Sequence, residues 1–307
     1  MLAILAASRP QFLTASVMPV LVAGAWVRWH KGTVDAGLWF LTLLGMIALH
    51  LGANLLNDYF DHLSRADELN LSFVRPFTGG SRAIQEGLLT PAQVLYGGLV
   101  ATAVGSAVGL YLTARCGGLV FLLGAIGVLT YFFYTAPPVA FSYRGLGELI
   151  VGLDFGLLPM LGTEYVLSGA VTPEMAVVAL PLAAFVANIL LINEFPDAEA
   201  DALAGKRQLV VLLGPRRAVS LVVGLYSLAL VVVAFSVAAG FLPAAALWSM
   251  LAAIPAGVAS QSLADGPDDP QAWRIACPAG VIAHILLGLT LFVALIASSP
   301  ASTGLSA

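Results

Sequence analysis

Residues 36–61 read AGLWFLTLLGMIALHLGANLLNDYFD, and this stretch decides the fold class of the chain. Its first part, up to residue 56, is apolar and as long as the roughly 20 residues that a helix needs to cross a bilayer. The apolar run then gives way to Asn57, Asp58 and Asp61. The stretch therefore predicts a transmembrane helix that carries an acidic motif at its C-terminal end.

The rest of the chain repeats the apolar pattern. Of its 307 residues, 60% are hydrophobic and only 10% are charged, whereas soluble domains carry about 25% charged residues. We predict about nine transmembrane helices, at about 11–29, 36–56, 92–113, 117–135, 146–168, 174–195, 217–240, 242–262 and 275–297. The sequence lacks the alternating segments of a membrane β-barrel. The predicted fold is thus an all-α, polytopic membrane helical bundle that forms a single domain over residues 1–307.

The basic residues predict the orientation of this bundle. With the N-terminus in the cytoplasm, the external segments hold three of the 13 lysines and arginines, namely Arg28, Lys31 and Arg115, and the internal segments hold the other ten. Positive residues are enriched on the cytoplasmic side of membrane proteins. We therefore predict a multi-pass protein of the cell's inner (plasma) membrane, with the N-terminus and the active-site loops in the cytoplasm.

Two acidic motifs follow the second and the sixth predicted helices. Asn57 and Asp61 are four residues apart in the first motif, and Asn193, Asp197 and Asp201 repeat this spacing in the second. Side chains four residues apart project from one face of a helix. Carboxylate and amide oxygens suit Mg²⁺, which commonly bridges one or two carboxylates to a phosphate. Because both motifs fall on one side of the membrane, they predict a magnesium-dependent diphosphate site rather than two ordinary polar helix ends.

Basic residues and a proline accompany the two motifs. Arg75 precedes the pair Gly79-Gly80, a combination that lets backbone amides approach an anion, and Lys206 follows the second motif. We predict that Arg75 and Lys206 bind the diphosphate. Pro196, inside the second motif, is expected to distort its helix. The expected partners are a diphosphate substrate and the lipid bilayer, with no nucleic acid among them.

Further motifs extend along most of the chain. They are Arg9-Pro10, Asn57-Asp58-Tyr59-Phe60-Asp61 with Asp67, Tyr134 through Pro137-Pro138, Tyr143 through Glu148, and the second motif with Gly205-Lys206-Arg207. Together they resemble the UbiA superfamily of intramembrane prenyltransferases. The resemblance implies a nine-helix bundle that transfers a prenyl group from a polyprenyl diphosphate to an aromatic acceptor, with the prenyl tail in an apolar groove open to lipid.

The resemblance also implies roles for individual residues. Asp61 and Asp197 are expected to be catalytic, and Arg9 and Tyr134 to join the diphosphate-binding residues. The ligands expected to hold Mg²⁺ and the diphosphate at the cytoplasmic mouth are Asn57, Asp61, Asp67, Asn193, Asp197 and Asp201.

Within the superfamily, the chain resembles the menaquinone branch. The features that carry this likeness are the spacing from Asp61 to Asp67 and the stretch Gly79-Gly80-Ser81. The branch prenylates 1,4-dihydroxy-2-naphthoate with loss of carbon dioxide. Arg65 stands where the hydroxybenzoate branch usually has its third acid. The chain departs from the menaquinone pattern at residues 193–197, where an Asn-Asn pair and an arginine are usual.

Polar residues inside or beside the spans are candidates for binding the aromatic acceptor. Asn54 lies one turn before the first motif, and Asp154 lies in the fifth predicted helix. Arg144, just before that helix, is a cation suited to an acceptor carboxylate. For His50 we favour an interhelical hydrogen bond over a role in the site.

Three other functions fit parts of the same pattern. A secondary transporter also carries charged residues in a membrane bundle, but it places them near the midplane, whereas the acidic residues here cluster at one interface. A terpene cyclase in a membrane shell would keep the metal site and change the chemistry. The third alternative is a prenyltransferase that acts on another phenolic or lipid acceptor.

Overall fold

The structure is a computed structural model that describes residues 2–300 of the chain. Its regular secondary structure is helical, and β-strands are absent from this described part. In chain order the α-helices are α1 (Leu2–Ala7), α2 (Thr14–Lys31), α3 (Ala36–Ser64), α4 (Ala66–Leu69), α5 (Pro91–Cys116), α6 (Gly118–Thr135), α7 (Gly147–Gly152), α8 (Leu158–Ser168), α9 (Pro173–Leu203), α10 (Leu209–Leu213), α11 (Pro215–Ala238), α12 (Ala253–Asp265) and α13 (Pro270–Ala297). The 3₁₀ segments are Pro10–Phe12, Phe141–Tyr143 and Ala244–Ala252, and a π-helical segment, Leu153–Leu157, joins α7 to α8.

Within residues 2–300, nine helical stretches are long and apolar enough to cross a membrane. α3, α5, α6, α9, α11 and α13 each form one stretch. The others combine neighbouring elements and are Pro10–Lys31, Gly147–Ser168 and Ala244–Asp265. The predicted all-α membrane bundle with about nine transmembrane helices is therefore confirmed.

Local sequence explains where several of these helices begin. The side chain of Thr90 accepts a hydrogen bond from Gln93 N at 3.3 Å, and the Gln93 side chain accepts one from Thr90 N at 2.9 Å, which makes a capping box at the start of α5. Thr172 caps α9 through Met175 N, and Asp35 caps α3. A proline follows the cap of α5, α9 and α13, where its missing N–H removes no helical hydrogen bond. These caps set the starts of the spans.

Two helices continue beyond the predicted ends of their spans. α3 runs to Ser64, and Arg65, in the left-handed conformation, ends it. α9 runs to Leu203 and continues through Pro196. The expected distortion of the helix at this proline stays a prediction. Both acidic motifs therefore lie on helical turns, where residues four apart share one face.

α3 and α5 approach each other closely because glycines lie at their contact. A Cβ atom on Gly98 would lie 2.9 Å from Leu56 Cγ, and one on Gly105 would lie 2.6 Å from Leu49 Cγ. Small residues allow such close packing between membrane helices. This contact fixes the helix that carries the first motif along one side of the bundle.

α9 runs through the interior of the bundle and carries the second motif. Most of its side chains between Met175 and Phe195 are buried, and it contacts α2, α7, α11 and α13. The π-helical segment packs against it through Gly156, whose Cβ would lie 2.3 Å from Ala183 Cα. A π-turn adds a residue to one turn of a helix and so changes the direction of the side chains on it. The sequence patterns did not predict this segment, which contains Asp154.

Candidate active site

The two acidic motifs meet at one end of the bundle. Lys206, which follows α9, places its Nζ atom 2.7 Å from Asp61 Oδ1 on α3 and 3.8 Å from Asp201 Oδ1 on α9. All three side chains are buried. Burial alone would lower the pKa of Lys206, but Asp61 and Asp201 outweigh it and raise this pKa well above its ordinary value. The lysine is therefore a fixed positive charge between the two motifs.

Asp197 is held by the segment that connects α4 to α5. Asn70 Nδ2 donates to Asp197 Oδ1 at 2.6 Å, and the backbone N–H of Gly79 donates to Asp197 Oδ2 at 3.2 Å. Gly80, with a φ of 74°, lies against Asp67, and a Cβ atom on it would lie 2.6 Å from Asp67 Oδ2. The glycine pair thus lets this segment approach the carboxylates of both motifs. The backbone amide of Gly79 binds the carboxylate of Asp197.

Arg9 joins the segment before α2 to the first motif. Its guanidinium forms an ion pair with Asp58 and lies 3.3 Å from Asn57 Oδ1. The backbone N–H of Ser81 also donates to Asp58, at 3.3 Å. Burial disfavours the charged form of Arg9, but Asp58 and Asp67 outweigh it and raise its pKa above the ordinary value. Asp58 therefore anchors Arg9 beside the first motif.

A cavity of about 180 Å³ opens between the two motifs. Nearly all the predicted site residues line it, and they come from both motifs and from the segments that cover them. They are Arg9, Asn54, Asn57, Asp61, Asp67, Tyr134, Asp154, Asn193, Asp197, Asp201 and Lys206.

Two predicted site residues lie elsewhere. Arg75 forms an ion pair with Glu86, and its side chain is 57% exposed. Arg144 donates to the carbonyl oxygens of Val139 and, at 3.1 Å, Pro138, because the turn before it presents these carbonyls to the guanidinium. Arg75 therefore lies apart from the other predicted diphosphate-binding residues, and Arg144 lies apart from the other predicted acceptor-binding residues.

The cavity suits a hard divalent cation. Burial raises the pKa of Asp67 well above its ordinary value, and the nearby carboxylates of Asp61 and Asp58 raise it further. Asn193 Oδ1 is buried and has no hydrogen-bond partner among the described residues. Within residues 2–300, the structure has no group of three or more His, Cys, Asp or Glu side chains close enough together to coordinate one metal ion. The carboxylate and amide oxygens of the residues that line the cavity are hard donors and fit Mg²⁺, which keeps several waters.

Sequence reasoning missed three residues of this region. Asn70 binds Asp197, Gln208 lines the cavity, and Glu194 accepts from the backbone N–H of Val210 at 3.3 Å. Glu148 accepts in the same way from Leu209 N at 2.7 Å. The two glutamates thus hold the start of α10 and, through it, the segment with Lys206. No local sequence signal marks Asn70, because its partner, Asp197, is 127 residues away in the sequence.

A second cavity, of about 120 Å³, adjoins the first between α3, α5, α6 and α8. It is lined mainly by apolar side chains and glycines, such as Leu49 and Gly124. Tyr131, Asp154 and Phe155 line both cavities. A largely apolar cavity therefore lies next to the polar one.

Membrane-spanning helices around a cavity of carboxylates, amides and cations define an integral-membrane protein with a site for a charged ligand. A model of the UbiA prenyltransferase family matches residues 16–285, so the chain belongs to this family. The family resemblance predicted from the motifs is confirmed, and family membership favours an enzyme over a transporter.

Relatives with a stated activity support the same branch. Over 225 residues the chain is 31% identical to the 1,4-dihydroxy-2-naphthoate octaprenyltransferase of Mycobacterium tuberculosis. The matched region covers 72% of this chain and 73% of that protein. It is 26% identical, also over 225 residues, to the protein of the same description from Bacillus subtilis, with 72% and 69% covered.

Solved structures share the fold. A UbiA homolog from Aeropyrum pernix K1, in its apo form, has a TM-score of 0.67 at 18% identity and covers 91% of this chain and 97% of its own. A UbiA homolog from Archaeoglobus fulgidus bound to DMAPP and Mg²⁺ has a TM-score of 0.61 at 17% identity, with 94% and 98% covered.

Proposed function

We propose that this prenyltransferase transfers a polyprenyl group from a polyprenyl diphosphate to 1,4-dihydroxy-2-naphthoate, with loss of carbon dioxide, in menaquinone biosynthesis. The observation that carries the proposal is the junction of two cavities, one lined by acidic and basic side chains and the other apolar. A polyprenyl diphosphate has the same two parts, a charged head and a long apolar tail. The naphthoate octaprenyltransferases among the relatives support the choice of acceptor.

Mg²⁺ is the proposed cofactor. Its ligands would be the carboxylate and amide oxygens of the two motifs, namely Asn57, Asp61, Asp67, Asn193, Asp197 and Asp201. When bound, the ion would stabilise the negative charge that develops on the diphosphate as the carbon–oxygen bond breaks. The Mg²⁺ and DMAPP in the Archaeoglobus fulgidus homolog support this assignment.

The protein's own cations complete the proposed diphosphate site. Lys206 is buried and the Arg9 side chain is 16% exposed, and both line the cavity. The surrounding carboxylates stabilise their charges. They would offset the charge of the leaving diphosphate, which takes the electron pair of the breaking bond, and Tyr134 would donate a hydrogen bond to it. Preorganised charges of this kind lower the barrier because they need little rearrangement during the reaction.

The acceptor ring would then form the new bond. Its carboxylated carbon supplies the electron pair to the allylic carbon, and the electrons of the bond to the departing carbon dioxide restore the aromatic ring. Asn54 and Asp154 would orient the acceptor, while the apolar cavity would hold the prenyl tail away from water. The site would open to the cytoplasm from the plasma membrane, as the uneven distribution of basic residues indicates, and residues 1–307 would act as one domain.

A product analysis tests this function. Purified protein in detergent is incubated with Mg²⁺, a labelled prenyl diphosphate and a panel of aromatic acids, and the products are identified by mass spectrometry. We expect a prenylated naphthalenediol and release of carbon dioxide from 1,4-dihydroxy-2-naphthoate. Prenylation of 4-hydroxybenzoate alone, without carbon dioxide, would contradict the naphthoate acceptor and retain the transferase. A cyclised terpene made without any acceptor would contradict both.

A further inference from the structure

We infer that His50 and Asp154 form a subsite that recognises the two hydroxyl groups of a dihydroxylated aromatic ring, at the junction of the two cavities. This inference rests on the proposed function and adds His50 as a specificity-determining residue. Both side chains line the polar cavity, and both are buried, with exposures of 3% and 7%.

Each of the two side chains has one polar atom fixed by the protein and one without a partner. His50 Nδ1 lies 2.7 Å from Ser16 Oγ, while its Nε2 is buried and unpartnered among the described residues. Asp154 Oδ1 accepts a hydrogen bond from Thr130 at 2.6 Å, while its Oδ2 has no partner in the same part of the chain. Buried polar atoms normally have partners, so two such atoms on residues that line one cavity indicate a polar ligand.

The surroundings of these atoms select an aromatic ligand. The rings of His50 and Phe155 contact each other edge to face, with their centroids 4.9 Å apart. The hydroxyl of Tyr131 is already used, because it donates to Thr102 Oγ1 at 2.6 Å. Phe155 and Tyr131 therefore offer ring surfaces, and His50 and Asp154 offer the free polar atoms.

The local backbone is built to present this subsite. Asp154 and Phe155 lie in the π-helical segment, and π-turns inside α-helices frequently occur at functional sites. His50 precedes Asn57 by two turns of α3, which corresponds to roughly 10 Å along the helix. That separation leaves room for an aromatic ring between the subsite and the diphosphate-binding motif.

A kinetic comparison tests the role of His50. Each lost hydrogen bond should raise the KM for the aromatic acceptor by about 3- to 10-fold, so His50→Leu and Asp154→Leu should each show this rise with little change in the KM for the prenyl diphosphate. His50→Gln, which keeps a polar group at the end of the side chain, should recover part of the loss. His284→Leu is the matched control, because His284 is equally buried, bonds Thr14 O and lies outside the lining of this cavity. An equal rise in both KM values, or no rise in either, would overturn the inference.

A direct binding measurement separates this inference from the proposed function. Isothermal titration of the detergent-solubilised protein with 1,4-naphthalenediol, kept reduced, and with 1,4-dimethoxynaphthalene compares a ring that has hydroxyl donors with one that lacks them. The wild type should bind the diol at least about 10-fold more tightly, and the His50 and Asp154 variants should lose this preference while His284→Leu keeps it. Selective binding of the diol by a protein without prenyltransferase activity would support the subsite and contradict the proposed function. Equal binding of the two compounds by the wild type would overturn the subsite.

Discussion

At the level of single residues, Asp61 and Asp197 are held in different ways. Asp61 is paired with Lys206, whereas Asp197 accepts hydrogen bonds from Asn70 and Gly79. We expect Asp61→Ala and Asp197→Ala each to lower kcat by at least about 10²-fold, as when one group that stabilises transition-state charge is removed. The measurement is the initial rate at saturating Mg²⁺. Asp265→Ala, at an exposed aspartate on α12, is the control and should leave the rate unchanged.

Removal of the metal gives an independent check on the same residues. EDTA should abolish turnover by the wild type, and added Mg²⁺ should restore it, because the cavity carboxylates would otherwise repel the diphosphate. Full activity in EDTA would contradict the metal site. In that case the two aspartates would have only a structural role.

Lys206 supports a prediction about stability rather than rate. Replacement by methionine removes a buried cation and leaves Asp61 and Asp201 with uncompensated charge, which should cost about 3–5 kcal/mol of stability. Thermal unfolding in detergent measures the loss, and added Mg²⁺ should reverse part of it. Lys206→Arg should be milder, and Arg216→Met, at an exposed position, should have little effect. An unchanged melting temperature for Lys206→Met would refute the buried ion pair.

At the level of helices, the apolar cavity depends on residues that lack a side chain. A Cβ atom on Gly124 of α6 would meet no atom within 4 Å, and Gly124 lines the apolar cavity. Gly124→Leu should therefore fill the cavity without disturbing the packing. We expect it to lower kcat/KM for long prenyl diphosphates by at least about 10-fold and to spare the shortest ones.

A glycine on another helix provides the control for this experiment. Gly224 of α11 is equally unobstructed, is exposed and does not line the cavity. Gly224→Leu should leave the preference for tail length unchanged. If Gly124→Leu affects short and long donors alike, the prenyl tail does not occupy this cavity.

The helices also show how far the sequence alone leads. Apolar length predicted the spans, and the spacing of four residues correctly indicated a helical face for each motif, because both properties are local. The placement of Arg75 and Arg144 depended instead on which partner lay nearest in three dimensions, Glu86 for the first and the carbonyls of residues 138 and 139 for the second. The π-helical segment also escaped prediction, and its Gly156 makes a comparable long-range contact, because it packs closely on α9.

At the level of the whole molecule, the contact between the two motifs requires that both lie on the same side of the membrane. After replacement of Cys116 and Cys277 by alanine, single cysteines at the exposed positions Leu71 and Leu203 should react with an impermeant thiol reagent only from the cytoplasm. A cysteine at Arg115 should react from outside. Reaction of positions 71 and 203 from opposite sides would contradict the shared site, and external reaction of both would reverse the proposed orientation.

The two cavities share only Tyr131, Asp154 and Phe155 among the residues that line them in the described part of the chain. Substitutions in the apolar cavity and substitutions near His50 therefore change different lining residues. For enzyme engineering, this separation means that libraries for tail length and for ring chemistry can be built on different residues. Their effects should add where the substituted residues do not contact a shared residue, unlike His50, which contacts Phe155. The three shared residues are the positions at which such combined variants would interfere with each other.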